Sequence, residues 1–163
     1  MATKVTSGKL NVQVTETVTV NGVEQTYTNV NSVAGVNTTF HRIIRVALSN
    51  HATAPTNFTL LASTAAAAAG GSFVAGEIKY IRITNQDDTN YVVLRLEDTG
   101  ANQYYFRLAA GEIWTGYGAG FEANATAAAT VDYTALRATA DNIAAVANTA
   151  AVDVEVFIAS TAA

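Results

Sequence analysis

Few side chains in this chain have the chemistry of an active site. His41 and His51 are its two histidines, the one residue type that titrates unperturbed near neutrality. A metal centre inside a β-barrel needs His pairs one residue apart with a further carboxylate and His, and the chain holds no H-x-H and no H-x-x-E-H. Both histidines therefore read as structural or surface residues. The run Asn85-Gln86-Asp87-Asp88-Thr89-Asn90 offers oxygen donors of the kind calcium prefers. Its spacing is not that of an EF-hand loop, and Asn and Asp in such runs bond their own backbone in β-turns. A turn is the expected state. Glu77, Glu97, Glu112, Glu122 and Glu155 are scattered one per segment, and nothing in their spacing sets the separation of about 5–9 Å that a glycosidase carboxylate pair requires. No serine stands in a G-x-S-x-G elbow. The glycine-rich GYGAG at 116–120 follows an antiparallel hairpin and leads into no helix, so it does not read as a phosphate cradle. Cysteine is absent, which removes disulfides, thiolate metal sites and thiol nucleophiles. No catalytic, metal-binding or cofactor-binding residue is assigned, and the chain is expected not to be an enzyme.

Aromatic residues remain. Tyr80, Tyr91, Tyr104, Tyr105, Phe106, Trp114, Tyr117 and Phe121 crowd one region. Tyr104 and Tyr105 are adjacent in a strand-like run, so they point to opposite faces and one of them leaves the core. The cluster reads first as ordinary core and rim packing, next as a subunit contact, and last as a platform that stacks on sugar rings.

Composition narrows the classes further. The chain has 163 residues, 50% of them hydrophobic and only 13% charged, where an ordinary soluble domain carries about 25%. Low charge suits a surface covered by partners. Nine Lys and Arg against thirteen Asp and Glu give a net charge of −4, and no basic run exists. A surface that tracks phosphates needs clustered cations, so nucleic acid is not an expected partner. No stretch approaches the roughly 20 apolar residues of a membrane helix, and the first ten residues lack the apolar run of a signal peptide. Synthesis in the cytoplasm and no membrane contact are expected.

Hydrophobic periodicity gives the elements that must carry these residues. Residues 1–8 are small and polar and read as a flexible arm, with a single domain over 9–163. From Lys9, Leu10, Val12, Val14, Val18 and Val20 share one parity while Asn11, Gln13, Thr15, Thr17 and Thr19 share the other. That period of two predicts a strand with one buried and one wet face. Asn21-Gly22 is the strongest short hairpin signal, since a type I′ turn wants positive φ at both central residues. The return strand is expected from Val23 to about Val30, as part of an exposed hairpin. Further strands are expected over 38–48, 57–62, 77–84 (with a bulge near Tyr80-Ile81), 90–97, 103–109, 113–117, 131–139 and 152–159. The alanine run 65–71 and the stretch 116–129 read as loops. Asp141–Ala150 fits either a short capped helix or a loop. Turn signals recur about every ten residues, the spacing of a sandwich or barrel. Eight or nine strands without βαβ alternation predict an all-β fold, an antiparallel β-sandwich of jelly-roll type with an extended N-terminal arm and hairpin.

The stretches IKYIRITNQDDTNYVVLRLEDTGANQYYFRLAAGEIW and LRATADNIAAVANTAAVDVEVFIAS resemble virion structural proteins of tailed bacteriophages. The matching residues are Ile81, Ile83 and Asn85, then Leu108, Gly111 and Glu112, then Ala138, Ala140 and the acidic-apolar strand Val152–Ile158, all in the C-terminal half. The resemblance implies a β-sandwich located in the virion that binds capsid or tail proteins, as a homo-oligomeric cement (decoration) protein, or as a tail or head-completion component. Expected contact residues are Thr17, Thr19, Tyr27, Tyr105, Trp114, Tyr117 and Phe121. Two other classes stay open: a carbohydrate-binding receptor-recognition module, and an enzyme on a cupin-like fold.

Overall fold

A computed structural model describes residues 8–50, 55–62, 73–74, 77–98, 103–117 and 140–161. Every regular element longer than one turn among them is a strand. These are β1 (Gly8–Val20), β2 (Val23–Val36), β3 (Thr38–Val46), β4 (Thr56–Ala62), β5 (Phe73–Val74), β6 (Ile78–Asn85), β7 (Val92–Asp98), β8 (Gln103–Leu108), β9 (Ile113–Tyr117), β10 (Ala140–Ala147) and β11 (Val152–Ser160). The all-β expectation holds. Eleven strands stand where eight or nine were expected. The strand expected over 131–139, the alanine run 65–71, His51, arm residues 1–7 and residues 118–129 lie outside the described residues. Gly8, assigned to the arm, instead opens β1.

The strands form two sheets and a separate hairpin. One sheet has the order β5-β4-β10-β7-β8, the other β3-β11-β6-β9. All pairings are antiparallel except that of β5 with β4. The sheets face each other across one apolar core. Val92, Leu94, Ile143 and Ala145 come from the first sheet, and Val46, Ile81, Ile83, Val152, Val154, Val156 and Ile158 from the second. This is an antiparallel β-sandwich. The alternation in β11 is as clean as its sequence: Val152, Val154, Val156 and Ile158 are fully buried, with Asp153 and Glu155 on the outer face. Trapped between β3 and β6, the strand is the centre of its sheet.

The bulge expected near Tyr80-Ile81 is present. The register of β6 on β11 shifts between Ala159 and Ser160, leaving Lys79 as the extra residue. Because of it, Ile78 and Ile81 both reach the main core although they lie three apart. Tyr80 turns the other way, into a second small cluster with Val36 and Ala159.

Four expectations are corrected. The helix or loop over Asp141–Ala150 is strand β10, flanked by β4 and β7. Ile143, Ala144, Ala145, Val146 and Ala147 are all buried, and a strand buried on both faces reads as a continuous apolar run without period two. Arg95, assigned to the wet face of β7, is buried at 8% exposure. Leu48, placed on the inner face of the strand after Thr38, is exposed, because β3 ends at Val46. Most consequential is the valine face of β1, expected to be buried. It is largely open to solvent.

The turn Asn85–Asn90 is held by its own side chains as well as by bonds to neighbouring segments. Asp87 Oδ1 accepts from the backbone N–H of Thr89 (2.8 Å) and of Asn90 (2.6 Å). The Asn90 N–H first, then that of Thr89, holds the Asp87 carboxyl below the ordinary carboxylate range, against a small opposing effect of burial. A depressed folded value means that the charged turn favours the folded state above the unfolded pKa. That contribution is lost as pH falls through the folded pKa. An NMR titration is expected to place the Asp87 carboxyl below the ordinary carboxylate range, and Asp87→Asn should abolish the step; an ordinary value would show that the turn does not hold the carboxylate.

Candidate contact surface

The hairpin is the part of the molecule that departs from the sandwich. Asn21 and Gly22 adopt φ of 53° and 80°, as a type I′ turn requires, and that turn matches the twist of the two strands. From it β1 and β2 pair without interruption as far as Lys9 and Ala34. The return strand thus runs to Val36, six residues beyond the expected end. The root is anchored: Leu10, Val12 and Val33 pack with Val36, Tyr80, Ala159 and Phe157 on the outer side of the β3-β11-β6-β9 sheet. Gly8 sits where a Cβ would collide with the Val36 carbonyl oxygen, so a glycine permits the close approach at the root.

Beyond the root both faces of the ribbon are exposed. Cross-strand partners share a face, which sorts the residues. One face carries Val14, Glu16, Val18 and Val20 on β1 opposite Asn29, Tyr27, Gln25 and Val23 on β2. The other carries Thr15, Thr17 and Thr19 opposite Thr28, Thr26 and Glu24. On the threonine face, hydroxyls pair across the strands at Thr15–Thr28 (3.4 Å) and Thr17–Thr26 (3.3 Å). On the valine face, Val14, Val18 and Val20 are each 47% exposed, Val23 61% and Tyr27 60%. The Tyr27 hydroxyl donates to Gln25 Oε1 at 3.0 Å. A concavity of about 600 Å³ lies mainly along this face, lined by Val12, Val14, Glu16, Tyr27, Asn29 and Asn31, with Thr28 of the other face at its margin. A smaller one of about 270 Å³ lies at the root beside Arg82 and Phe157.

The expected contact residues are therefore dispersed. Thr17 and Thr19 lie on one face of the hairpin and Tyr27 on the other. Tyr105 is on the outer face of β8, half exposed, with its hydroxyl bonded to Gln103 Oε1. Trp114 is half-buried against the main core, its ring 5.2 Å from that of Phe106, and closes the edge where β8 and β9 come from different sheets. Tyr117 ends β9 opposite Tyr80, and Phe121 lies outside the described residues. Sequence reasoning did not single out Val14, Val18, Val20 and Val23 as contact residues, since alternation normally signals burial.

Among the described residues, a cluster of charged side chains sits on the outer face of the β3-β11-β6-β9 sheet. Glu155 Oε1 receives His41 Nε2 at 2.7 Å and a guanidinium nitrogen of Arg82 at 2.8 Å. Arg82 also lies over the Phe157 ring at 5.9 Å. Arg45 and Asp153 pair nearby at 3.2 Å. The shared carboxylate is thus engaged by two cationic or hydrogen-bonding partners. Among the described residues no three His, Asp or Glu side chains are grouped to hold a metal ion. Comparison with protein-family models, with curated proteins and with solved structures finds no match.

Proposed function

We propose that this chain is a non-enzymatic virion structural protein, a cement or decoration subunit that stabilises an assembled capsid lattice through protein contacts. The observation that carries the reading is the projecting hairpin, whose valine face is uncovered past its root. Contiguous exposed apolar surface marks an interaction site in a stable protein. An isolated two-stranded ribbon is marginal alone, so a partner that covers it stabilises the ordered state by mass action. The sandwich supports the same reading as a rigid body. Leaving aside the hairpin and the two-residue β5, the first strand pairs with the last, and each later one with the next from the end: β3 with β11, β4 with β10, β6 with β9, β7 with β8. We read this nested order as a jelly roll, a framework common in capsid proteins.

The chain is expected to bind saturably to capsids of its own virion and to raise the temperature at which they disrupt, measured by co-sedimentation and by calorimetry with and without the protein. Recovery on tails instead would move it to the tail-component reading. A chain that joins neither, while folded, would overturn the proposal.

One observation favours a second reading. Tyr27 is exposed beside Gln25, Asn29 and Asn31, an aromatic with amides that suits a sugar ring. A glycan array probed with folded protein tests it, and an absence of binding removes it.

A further inference from the structure

We infer that the valine face of the β1–β2 hairpin is closed by the same face of a second copy of this chain. The inference rests on the assembly reading above and names the partner of that surface. Its chemistry is that of a self-complementary patch. The face divides lengthwise into a mainly apolar row on β1 (Val14, Val18, Val20, interrupted by Glu16) and a row on β2 in which Tyr27 lies between the amides of Gln25 and Asn29 and Val23 lies beyond Gln25 at the turn. Two such faces, related by a two-fold axis that crosses the strands at the Glu16–Tyr27 pair, lay Val14 on Val18 and Gln25 on Asn29, and bring Glu16 against its own copy. Amides carry both donors and acceptors, so one amide row satisfies another. Charge limits the contact: copies of a chain with net charge −4 repel, and Glu16 meets its own copy within this face. The size is adequate. Side chains left about half exposed along the free ribbon present on the order of 700 Å² per copy, near the ~800 Å² per partner of a standard interface.

Sedimentation of the full chain tests this, with the fold checked by circular dichroism. The wild type is expected to associate at about 100 μM or below. Val18→Glu places a carboxylate in the apolar contact and should weaken association by about 100-fold or more. Thr17→Glu adds the same charge one residue away on the opposite face and should change it less than about threefold. Glu16→Gln removes the carboxylate that this contact would bury and should tighten association. Because the chain lacks cysteine, Val18→Cys is a clean probe: a short bis-maleimide should link it into dimers and leave Thr17→Cys monomeric.

A monomeric wild type overturns the inference. If that monomer still binds capsids in a Val18-sensitive way, the face belongs to another protein and the functional reading stands. A monomer whose Val18→Cys thiol resists maleimide shows instead that the chain covers its own face. An oligomer indifferent to Val18→Glu places the interface elsewhere and also overturns the inference. An oligomer that dissociates as expected but never joins capsids or tails upholds it and overturns the functional reading.

Discussion

Replacing Asn85 with aspartate is expected to destabilise the fold by about 3 kcal/mol or more, read as a fall in melting temperature of about 10 °C for a domain of this size. Asn85 is the one asparagine among the fully buried side chains of the described residues. The two N–H groups of its Nδ2 are shared among three carbonyl oxygens, those of Asn90 (2.8 Å), Leu108 (3.2 Å) and Ala109 (2.9 Å). Its Oδ1 accepts from the Asp87 N–H at 3.0 Å. One amide thereby ties the β6–β7 turn to the end of β8, and its own backbone N–H reaches Glu112 O at 3.0 Å. Aspartate is nearly isosteric but has no N–H. Ionised, it sets a buried negative charge against three carbonyl oxygens; protonated, it donates to only one of them. Asn85→Ala is expected to lose less, about 1–3 kcal/mol, because it strands the carbonyls without adding charge. Thermal or urea unfolding of both variants measures the order. Equal losses would mean that volume rather than donor chemistry governs the site.

The same residue shows how far the sequence reaches. Asn85–Asn90 is legible as a turn from its Asn and Asp content, and the Asp87 bonds are those such a turn makes. That Asn85 also serves a second turn, more than twenty residues on, is a long-range fact that no local pattern encodes. β11 and the inward residues of β7 are legible because one face of each strand meets the core and the other does not. β10 is not, because both of its faces are covered and alternation vanishes. The hairpin lies between these cases. Once Asn21-Gly22 fixes a two-residue turn, each cross-strand pair follows by counting outward. Val20 meets Val23, Glu16 meets Tyr27 and Leu10 meets Val33. The separation of Tyr27 from Thr17 and Thr19 onto opposite faces was therefore legible. That the valine face beyond the root lacks a cover within the described fold was not, since period two tells which side is apolar and not what lies against it.

On the lattice-binding role proposed above, shortening the hairpin is expected to weaken capsid binding by about 100-fold or more while leaving the sandwich intact. Val14 and Asn29 are cross-strand partners, as are Val20 and Val23. The two pairs are six residues apart on each strand, an even number, so they have the same position in the alternating hydrogen-bond pattern. Deleting 15–20 and 23–28 thus seats Asn21-Gly22 between Val14 and Asn29 with its type I′ geometry kept. The residues removed are exposed on both faces, and exposed positions of this kind change stability by about 1 kcal/mol or less in total when no packing is lost. Leu10, Val12 and Val33, which hold the root against Tyr80 and Phe157, remain. Melting temperature should therefore stay within a few degrees of the wild type, whereas capsid affinity should fall by about 100-fold or more, since the deletion takes the exposed aromatic and apolar residues that anchor such contacts. Co-sedimentation of the shortened chain with capsids reads the second quantity and calorimetry the first. Binding retained at wild-type strength would move the contact surface off the hairpin and onto the sandwich, with half-exposed Tyr105 on the outer face of β8 as the next residue to change. A large loss of stability would mean instead that the ribbon supports the fold, and that its open face reflects folding rather than assembly.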